Sequence, residues 1–387
     1  MSDTSNRRIR AAIVGPGYIG AVHAGAIRRA GGVVDIIVGR PGSDVAGRAA
    51  AWRVGRYTNR LEDVLDDPAI DVVHICTPNA MHYAMARSVL EHGKHLVCEK
   101  PLTTRLSEAL DLVRVAEAAG VVAGVAYCYR YYPLVAQARH LVATGALGAV
   151  HQVRGTYLAD ELLHDSYLQY RFDPSIAGPS ITLFDIGVHW CDLAEHVLGR
   201  RMVEVFAEMQ TVVPTRIWRS GAAGAGPRPA AAGPDGATPV EGEDCLTLLA
   251  RFDGGARGNV AVSQVSAGFK NKLTLSIDGS QAGLDWDQEQ PNTLAVRRVA
   301  PGIEVVQRDP ALLCDDAASL AHTPAGHPEG YLDAFFNLID RIYRAIEEGG
   351  SRTAATYPTL ADGARGMAIA EAAMRSAREG CWKEVAL

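Results

Sequence analysis

Residues 9–20 of this 387-residue chain read IRAAIVGPGYIG, and the spacing of the glycines decides the fold of the first third. An apolar run, 9–14, stops at Gly15, Gly17 and Gly20, which stand at G-x-G-x-x-G positions before a helical pattern. Each glycine has a physical duty in such a loop. Gly15 permits the tight turn, Gly17 lets the backbone approach a pyrophosphate, and Gly20 permits close packing of helix on strand. The N-terminus of the helix that follows supplies N–H donors for the anion, and Tyr18 and Ile19 within the loop count among the cofactor-binding residues. The motif is weak alone; its position after a strand and before a helix gives it weight.

Outward from this loop the pattern repeats. Apolar runs at 33–38, 71–77, 95–98 and 121–126 alternate with helical stretches at 21–30, 81–91 and 106–119. Strands alternating with helices read as right-handed βαβ units on a parallel sheet covered on both faces. The near-continuous apolar strands agree, because parallel strands are buried on both sides. Past residue 130 a strand-like run, 150–158, leads into a polar loop, 159–179, and a helical pattern at 184–197. Short strands follow at 203–213, 246–252, 259–266, 272–277 and 293–297, separated by turn signals such as Asp278-Gly279. Helical stretches at 331–347 and 360–378 finish the chain. The expected fold is α/β plus α+β: a Rossmann dinucleotide-binding domain over 1–130, then an α+β domain with a large open mixed or antiparallel sheet over 131–387. Residues 220–242, almost all Ala, Gly and Pro, read as a flexible insert that buries too little surface to order itself.

Composition excludes several classes. A net charge of −6, from 38 Lys and Arg against 44 Asp and Glu, offers no basic excess for a nucleic-acid partner. No apolar run approaches the ~18 residues of a membrane span, and residues 1–15 hold no signal core. Seven scattered cysteines without a C-x-x-C pair suit free thiols, so the expected location is cytoplasmic.

Two places carry the chemistry. In a doubly wound sheet ligands sit at the carboxyl ends of the strands, where Thr77-Pro78-Asn79 and Glu99-Lys100-Pro101 fall. Lys100 in such a cleft stabilises charge on a substrate oxygen at modest cost, while Glu99 beside it holds the loop. The second strand ends Gly39-Arg40-Pro41-Gly42-Ser43, without the acidic residue that receives a ribose 2′-OH in NAD sites. Arg40 and Ser43 suit a 2′-phosphate, which favours NADP. NAD stays open, with Asp44 as an off-register ribose ligand. Farther on, Asp185, His189, Asp192 and His196 fall at i, i+4, i+7 and i+11, one stripe of an α-helix. A histidine oriented by a carboxylate one turn earlier can take a hydroxyl proton as a hydride leaves the same carbon. The same stripe could instead hold a metal, but no further His or Cys cluster completes a site and none is assigned. His196 reads as structural. Cys98 and Cys128 read as small apolar fillers.

In their order and spacing these residues resemble the glucose–fructose oxidoreductase/inositol dehydrogenase/MocA-type oxidoreductases. The likeness runs over essentially the whole chain, through Gly15–Gly20, Thr77-Pro78-Asn79 with His82, Cys98-Glu99-Lys100-Pro101-Leu102, Tyr129-Arg130, Asp185-Ile186-Gly187-Val188-His189 and His327-Pro328-Glu329-Gly330-Tyr331. The resemblance implies that Lys100 is the active-site lysine and that Asp185 and His189 face the nicotinamide. It places Thr77, Pro78, Asn79, His82, Glu99 and Lys100 at the cofactor. Substrate contacts would come from Lys100, Arg130, Asp185 and His189, and from Tyr157 and Asp160 by the polar loop, where His164, Asp165 and Arg171 also lie. It further implies a small carbohydrate or cyclic polyol substrate and a homo-oligomer, dimer or tetramer, built on the open sheet. Two other functions stay open: a glycoside-cleaving enzyme that recycles a tightly bound NAD(P), and a non-catalytic NADP-binding regulator.

Overall fold

The computed structural model describes residues 7–165, 170–218, 233, 235–349 and 355–387. By its internal contacts the chain divides into two compact units. One is Met1–Tyr131 with Tyr331–Ala364; the other is Tyr132–Gly330 with Arg365–Leu387. The division differs from a boundary at 130 by returning Tyr331–Ala364 to the first unit. The reason is packing: Tyr343 reaches His74, Phe335 meets the ring of His23, and Asp333 pairs with Arg29.

The first unit holds a six-stranded parallel sheet: β1 (Arg10–Val14), β2 (Val33–Val38), β3 (Arg56–Thr58), β4 (Val72–Ile75), β5 (His95–Cys98) and β6 (Ala123–Val125). Their spatial order, β3-β2-β1-β4-β5-β6, reverses direction between β1 and β4. This is the Rossmann arrangement, with its switch point at the end of β1. Ala11, Ala12, Ile13, Val72, Val73 and Ile75 are buried to 2% exposure or less, as expected of strands covered on both faces. The sequence missed β3, which is three residues long, polar and on the sheet edge. Helices Tyr18–Arg29, His82–Glu91 and Leu106–Ala119 match the helical stretches, the first beginning three residues earlier than expected.

The second unit is built on a nine-stranded sheet. Its strands are β7 (Val150–Leu158), β8 (Met202–Gln210), β11 (Cys245–Phe252), β12 (Arg257–Ser263), β13 (Lys272–Gly279), β14 (Gly283–Asp287), β15 (Thr293–Arg297), β16 (Ile303–Gln307) and β17 (Lys383–Glu384), in the order β16-β15-β14-β13-β7-β12-β11-β8-β17. All neighbours are antiparallel except β12 and β7, so the sheet is mixed. Burial alternates along β11 and β13, one face inward and one outward. A small separate ribbon pairs β9 (Thr215–Ile217) with β10 (Ala237–Pro239). This corrects the flexible insert at its carboxyl end: Thr238 and Val240 are buried, and Val240 packs with Leu162 and Ile181. Its remainder, 220–232 and 234, lies outside the described residues. Among the described residues no helix is long and apolar enough to cross a membrane.

Candidate active site

The glycine loop behaves as its spacing requires. Gly15 adopts φ +96°, and a Cβ there would lie 2.4 Å from the Cys76 carbonyl oxygen. A Cβ on Gly20 would lie 2.4 Å from the Gly15 oxygen, so the helix can sit this close to the turn only on glycine. At Gly17 a Cβ would meet nothing within 4 Å. Tight turn, open approach and close packing fall on Gly15, Gly17 and Gly20 in the order that a pyrophosphate site needs, so the residues fit a dinucleotide. At the end of β2 a Cβ on Gly39 would press within 2.8 Å of Ser43 Oγ and Val45, which excludes an acidic side chain there without rearrangement. Asp44 accepts from Gly47 N at 2.8 Å and caps helix Val45–Ala51, and Ser43 Oγ donates to the Arg40 carbonyl at 2.7 Å. Arg40 itself is exposed.

His82, which is fully buried, lies between the loops after β4 and β5. Its Nδ1 lies 2.8 Å from the Pro101 carbonyl and its Nε2 lies 2.8 Å from the Thr77 carbonyl. Burial pushes the ring's pKa down, and these two carbonyls push it up. Burial outweighs the carbonyls and leaves the pKa lowered, so the neutral ring, with one N–H, donates to one of the two carbonyls while lying between the loops. Glu99 turns inward at 6% exposure. Its Oε2 accepts from the Lys100 backbone N–H at 3.1 Å, and its Oε1 lies 3.0 Å from His23 Nε2. Lys100 is half-buried, at the start of a cis Lys100–Pro101 peptide. Thr77 Oγ1 donates to Met85 Sδ at 3.8 Å, and Asn79 opens a 3₁₀ turn, Asn79–Met81. The neighbouring thiols of Cys76 and Cys98 are pushed far up, by burial first and by Glu99 second. They stay protonated fillers, not nucleophiles.

In the second unit the helix carrying the proposed proton-transfer pair opens with a π turn, Leu183–Gly187, and becomes α-helical over Val188–Leu198. This departs from the single α-helical stripe expected from Asp185 to His196. The wider turn sets Asp185 apart, and the α stripe begins at His189. Asp185 Oδ2 accepts from Gln264 Nε2 at 2.8 Å and lies 3.5 Å from Arg171 Nε. Gln264 is fully buried, and its Oε1 accepts from Thr182 Oγ1 at 2.9 Å, which fixes which end of the amide faces Asp185. His189 is 7% exposed, with the Tyr157 ring 6.5 Å away. Tyr157 donates to Asn271 Oδ1 at 2.7 Å. Asp160 takes Lys270 at 2.6 Å, an interaction that lowers its pKa. At the far end of the helix His196 lies 3.4 Å from Arg139 Nη1. Between them, Glu195 is held by Arg365 at 2.8 Å, Arg201 at 2.9 Å and Met202 N at 2.6 Å. That cluster anchors the helix that presents His189.

Residues 9–127 match the model of an oxidoreductase family with an NAD-binding Rossmann fold, and 135–285 match the GFO/IDH/MocA C-terminal domain. The chain belongs to the Gfo/Idh/MocA oxidoreductase family. It is 34% identical over 345 residues to a levoglucosan dehydrogenase of Pseudarthrobacter phenanthrenivorans, covering 87% of this chain and 86% of that one. Over 141 residues it is 30% identical to the scyllo-inositol 2-dehydrogenase (NADP(+)) IolW of Bacillus subtilis, covering 36% and 38%. A solved levoglucosan dehydrogenase in complex with NADH and levoglucosan superposes with a TM-score of 0.88 at 29% identity, covering 98% of this chain and all of that one.

Within this family member Arg130 has a structural engagement. Its Nη2 donates to Asp362 Oδ1 at 3.0 Å, with side chains 12% and 20% exposed. Asp362 also accepts from Thr359 N at 2.8 Å, a capping box at the start of helix Leu360–Glu379. Arg130→Met is expected to lower unfolding free energy by roughly 1–3 kcal/mol, between the values for exposed and buried pairs. Urea denaturation reads this directly. A raised KM at unchanged stability would give Arg130 to the substrate instead. The sequence did not single out His23, His74, Tyr343 or Gln264. A histidine inside the fully buried strand Val72–Ile75, and another three residues past the last glycine of the loop, were the available signals.

Proposed function

We propose that the protein oxidises or reduces a ring carbon of a sugar, sugar derivative or cyclic polyol, with a nicotinamide dinucleotide held by Gly15, Gly17, Tyr18, Ile19 and Gly20. The nicotinamide, when bound, exchanges a hydride with the substrate carbon. The chain's own residues supply the rest. His189, with Asp185 as its charge partner, takes or returns the hydroxyl proton. Lys100 stabilises charge on the same oxygen. Tyr157 and Asn271 present hydrogen-bonding groups suited to further hydroxyls.

The observation that carries this reading is the environment of His189. A nearly buried imidazole next to a phenol, on a helix whose Asp185 is held by Gln264 and Arg171, suits proton transfer better than a surface contact. The extended likeness to a levoglucosan dehydrogenase supports a cyclic carbohydrate as substrate. Absorbance of reduced nicotinamide tests it, with NADP⁺ or NAD⁺ and a panel of free sugars, anhydrosugars, glycosides and inositols. Reduction with one polyol supports the dehydrogenase. Product without net reduced cofactor would favour the recycled-cofactor reading, and cofactor binding with no hydride transfer would favour the regulator.

For the cofactor we favour NADP. Gly39 has no room for an acidic side chain, Asp44 is committed to its helix cap, and Arg40 is exposed beside Ser43. An Arg–phosphate contact is worth about 1.5–3 kcal/mol. Arg40→Ala is therefore expected to raise the KM for NADP⁺ by roughly 10- to 100-fold and leave that for NAD⁺ within about two-fold. Equal effects on both cofactors would return the choice to NAD.

A further inference from the structure

The Lys100 loop is backed by polar groups that no part of the proposed chemistry uses. Behind Glu99 lie His23 on helix Tyr18–Arg29, His74 in β4 and Tyr343 on helix Tyr331–Glu347. His23 and His74 are fully shielded from solvent, and Tyr343 is 2% exposed. Contacts run in one unbranched line. Glu99 Oε1 lies 3.0 Å from His23 Nε2, His23 Nδ1 lies 2.9 Å from His74 Nδ1, and His74 Nε2 lies 2.9 Å from Tyr343 Oη. Phe335 closes the edge of the His23 ring at 5.1 Å.

The line has a direction. Each nitrogen-to-nitrogen or nitrogen-to-oxygen contact needs one hydrogen, donated from one side. If Tyr343 donates to His74 Nε2, then His74 donates from Nδ1 to His23 Nδ1, and His23 donates from Nε2 to Glu99. Every group is satisfied, both imidazoles are neutral, and Glu99 is a carboxylate that can also accept the Lys100 N–H. Run the other way, the line needs a protonated Glu99 or an imidazolium. His74 then donates to the Tyr343 oxygen, and the phenolic hydrogen must find another acceptor in an apolar interior. Among the described residues Tyr343 Oη makes no other hydrogen bond. Burial, with Asp71 second, keeps the phenol protonated, and burial with His23 second drives His74 far down.

We propose that Tyr343, His74 and His23 form a one-way buried hydrogen-bond chain that holds Glu99 as a carboxylate and thereby positions the Lys100 loop. They are positioning residues, and the proposal rests on the reading in which Lys100 acts on the substrate oxygen. It assigns fixed tautomers, Nε2–H for His23 and Nδ1–H for His74. It also makes the distant helix Tyr331–Glu347 part of the support for Lys100.

The test uses the whole protein labelled with ¹⁵N-histidine, observing ring nitrogens by NMR, with Tyr343→Phe as the conservative variant. Two neutral rings of opposite tautomer are expected in the wild type. In Tyr343→Phe the His74 ring should lose its single tautomer. The kcat should fall by about 10-fold, the lower end of what losing an outer hydrogen-bond partner costs around metal-bound histidines, with the cofactor dissociation constant unchanged. An imidazolium in the pair, the reverse tautomers, or a Tyr343→Phe protein with a lower melting temperature but unaltered tautomers and kcat would overturn the proposal. Failure of the reading in which Lys100 acts on the substrate oxygen looks different: the tautomers would hold while Lys100→Met kept full turnover.

Discussion

Lys100→Met is expected to lower kcat by about two orders of magnitude or more while leaving cofactor dissociation constants within a few-fold. The two parts of this outcome have separate causes. Loss of turnover follows from removing the only charge that the loop's side chain offers to a developing oxyanion, in a half-buried place where a fixed charge is worth more than in water. Retained cofactor binding follows from where the loop's own bonds lie. Glu99 takes the backbone N–H of Lys100, and the His82 ring lies 2.8 Å from the carbonyl of Pro101. Neither uses the lysine side chain, and methionine fills nearly the same volume. Steady-state kinetics on the substrate found in the panel, with cofactor binding followed by fluorescence, checks both halves. Full turnover in the variant would remove Lys100 from the mechanism. Weakened cofactor binding at normal kcat would make it a cofactor ligand.

How much of this was legible in the sequence depends on how far the deciding contact lies along the chain. The glycine loop is local: three residues and their neighbours determine whether a Cβ fits, and spacing alone assigned their duties. The parallel sheet was legible because buried strands such as Val72–Ile75 leave continuous apolar runs. β7 and β15 begin and end where the strand-like runs 150–158 and 293–297 placed them. The missed pieces are of two kinds. Arg56–Thr58 is too short and polar to carry a period. The others depend on distant partners. His23 meets a strand 51 residues away, and His74 meets a tyrosine 269 residues away. Gln264 reaches Asp185 across 79 residues. No local pattern announces such contacts. For the same reason Tyr331–Ala364 reads in sequence as the end of the second domain, although its partners lie in the first unit. The π turn at Asp185 escaped because its residues have the apolar spacing of an ordinary helix.

That turn bears on the second large effect. His189→Asn and Asp185→Asn are each expected to cut kcat by roughly 10²- to 10⁴-fold, and the double variant to be little worse than His189→Asn alone. Residues that act as a unit lose their effect together, because an Asp185 carboxylate has nothing to assist once the imidazole is gone. The substitutions are chosen to spare the fold. Asparagine at 185 keeps an oxygen that can accept the Gln264 N–H, and it removes only the charge that faces Arg171. The helix beyond it stays anchored by Glu195 on Arg365 and Arg201, well away from the change. Gln264→Leu separates the carboxylate's charge from its orientation. It leaves Asp185 intact but cuts the link from Thr182 through the amide. Its kcat should fall by less than that of Asp185→Asn, by about 10-fold. Three rates and one double variant therefore decide the roles. Multiplicative losses in the double variant would show that His189 and Asp185 act on separate steps. A Gln264→Leu rate equal to wild type would show that the wider first turn, not the amide, sets where the carboxylate points.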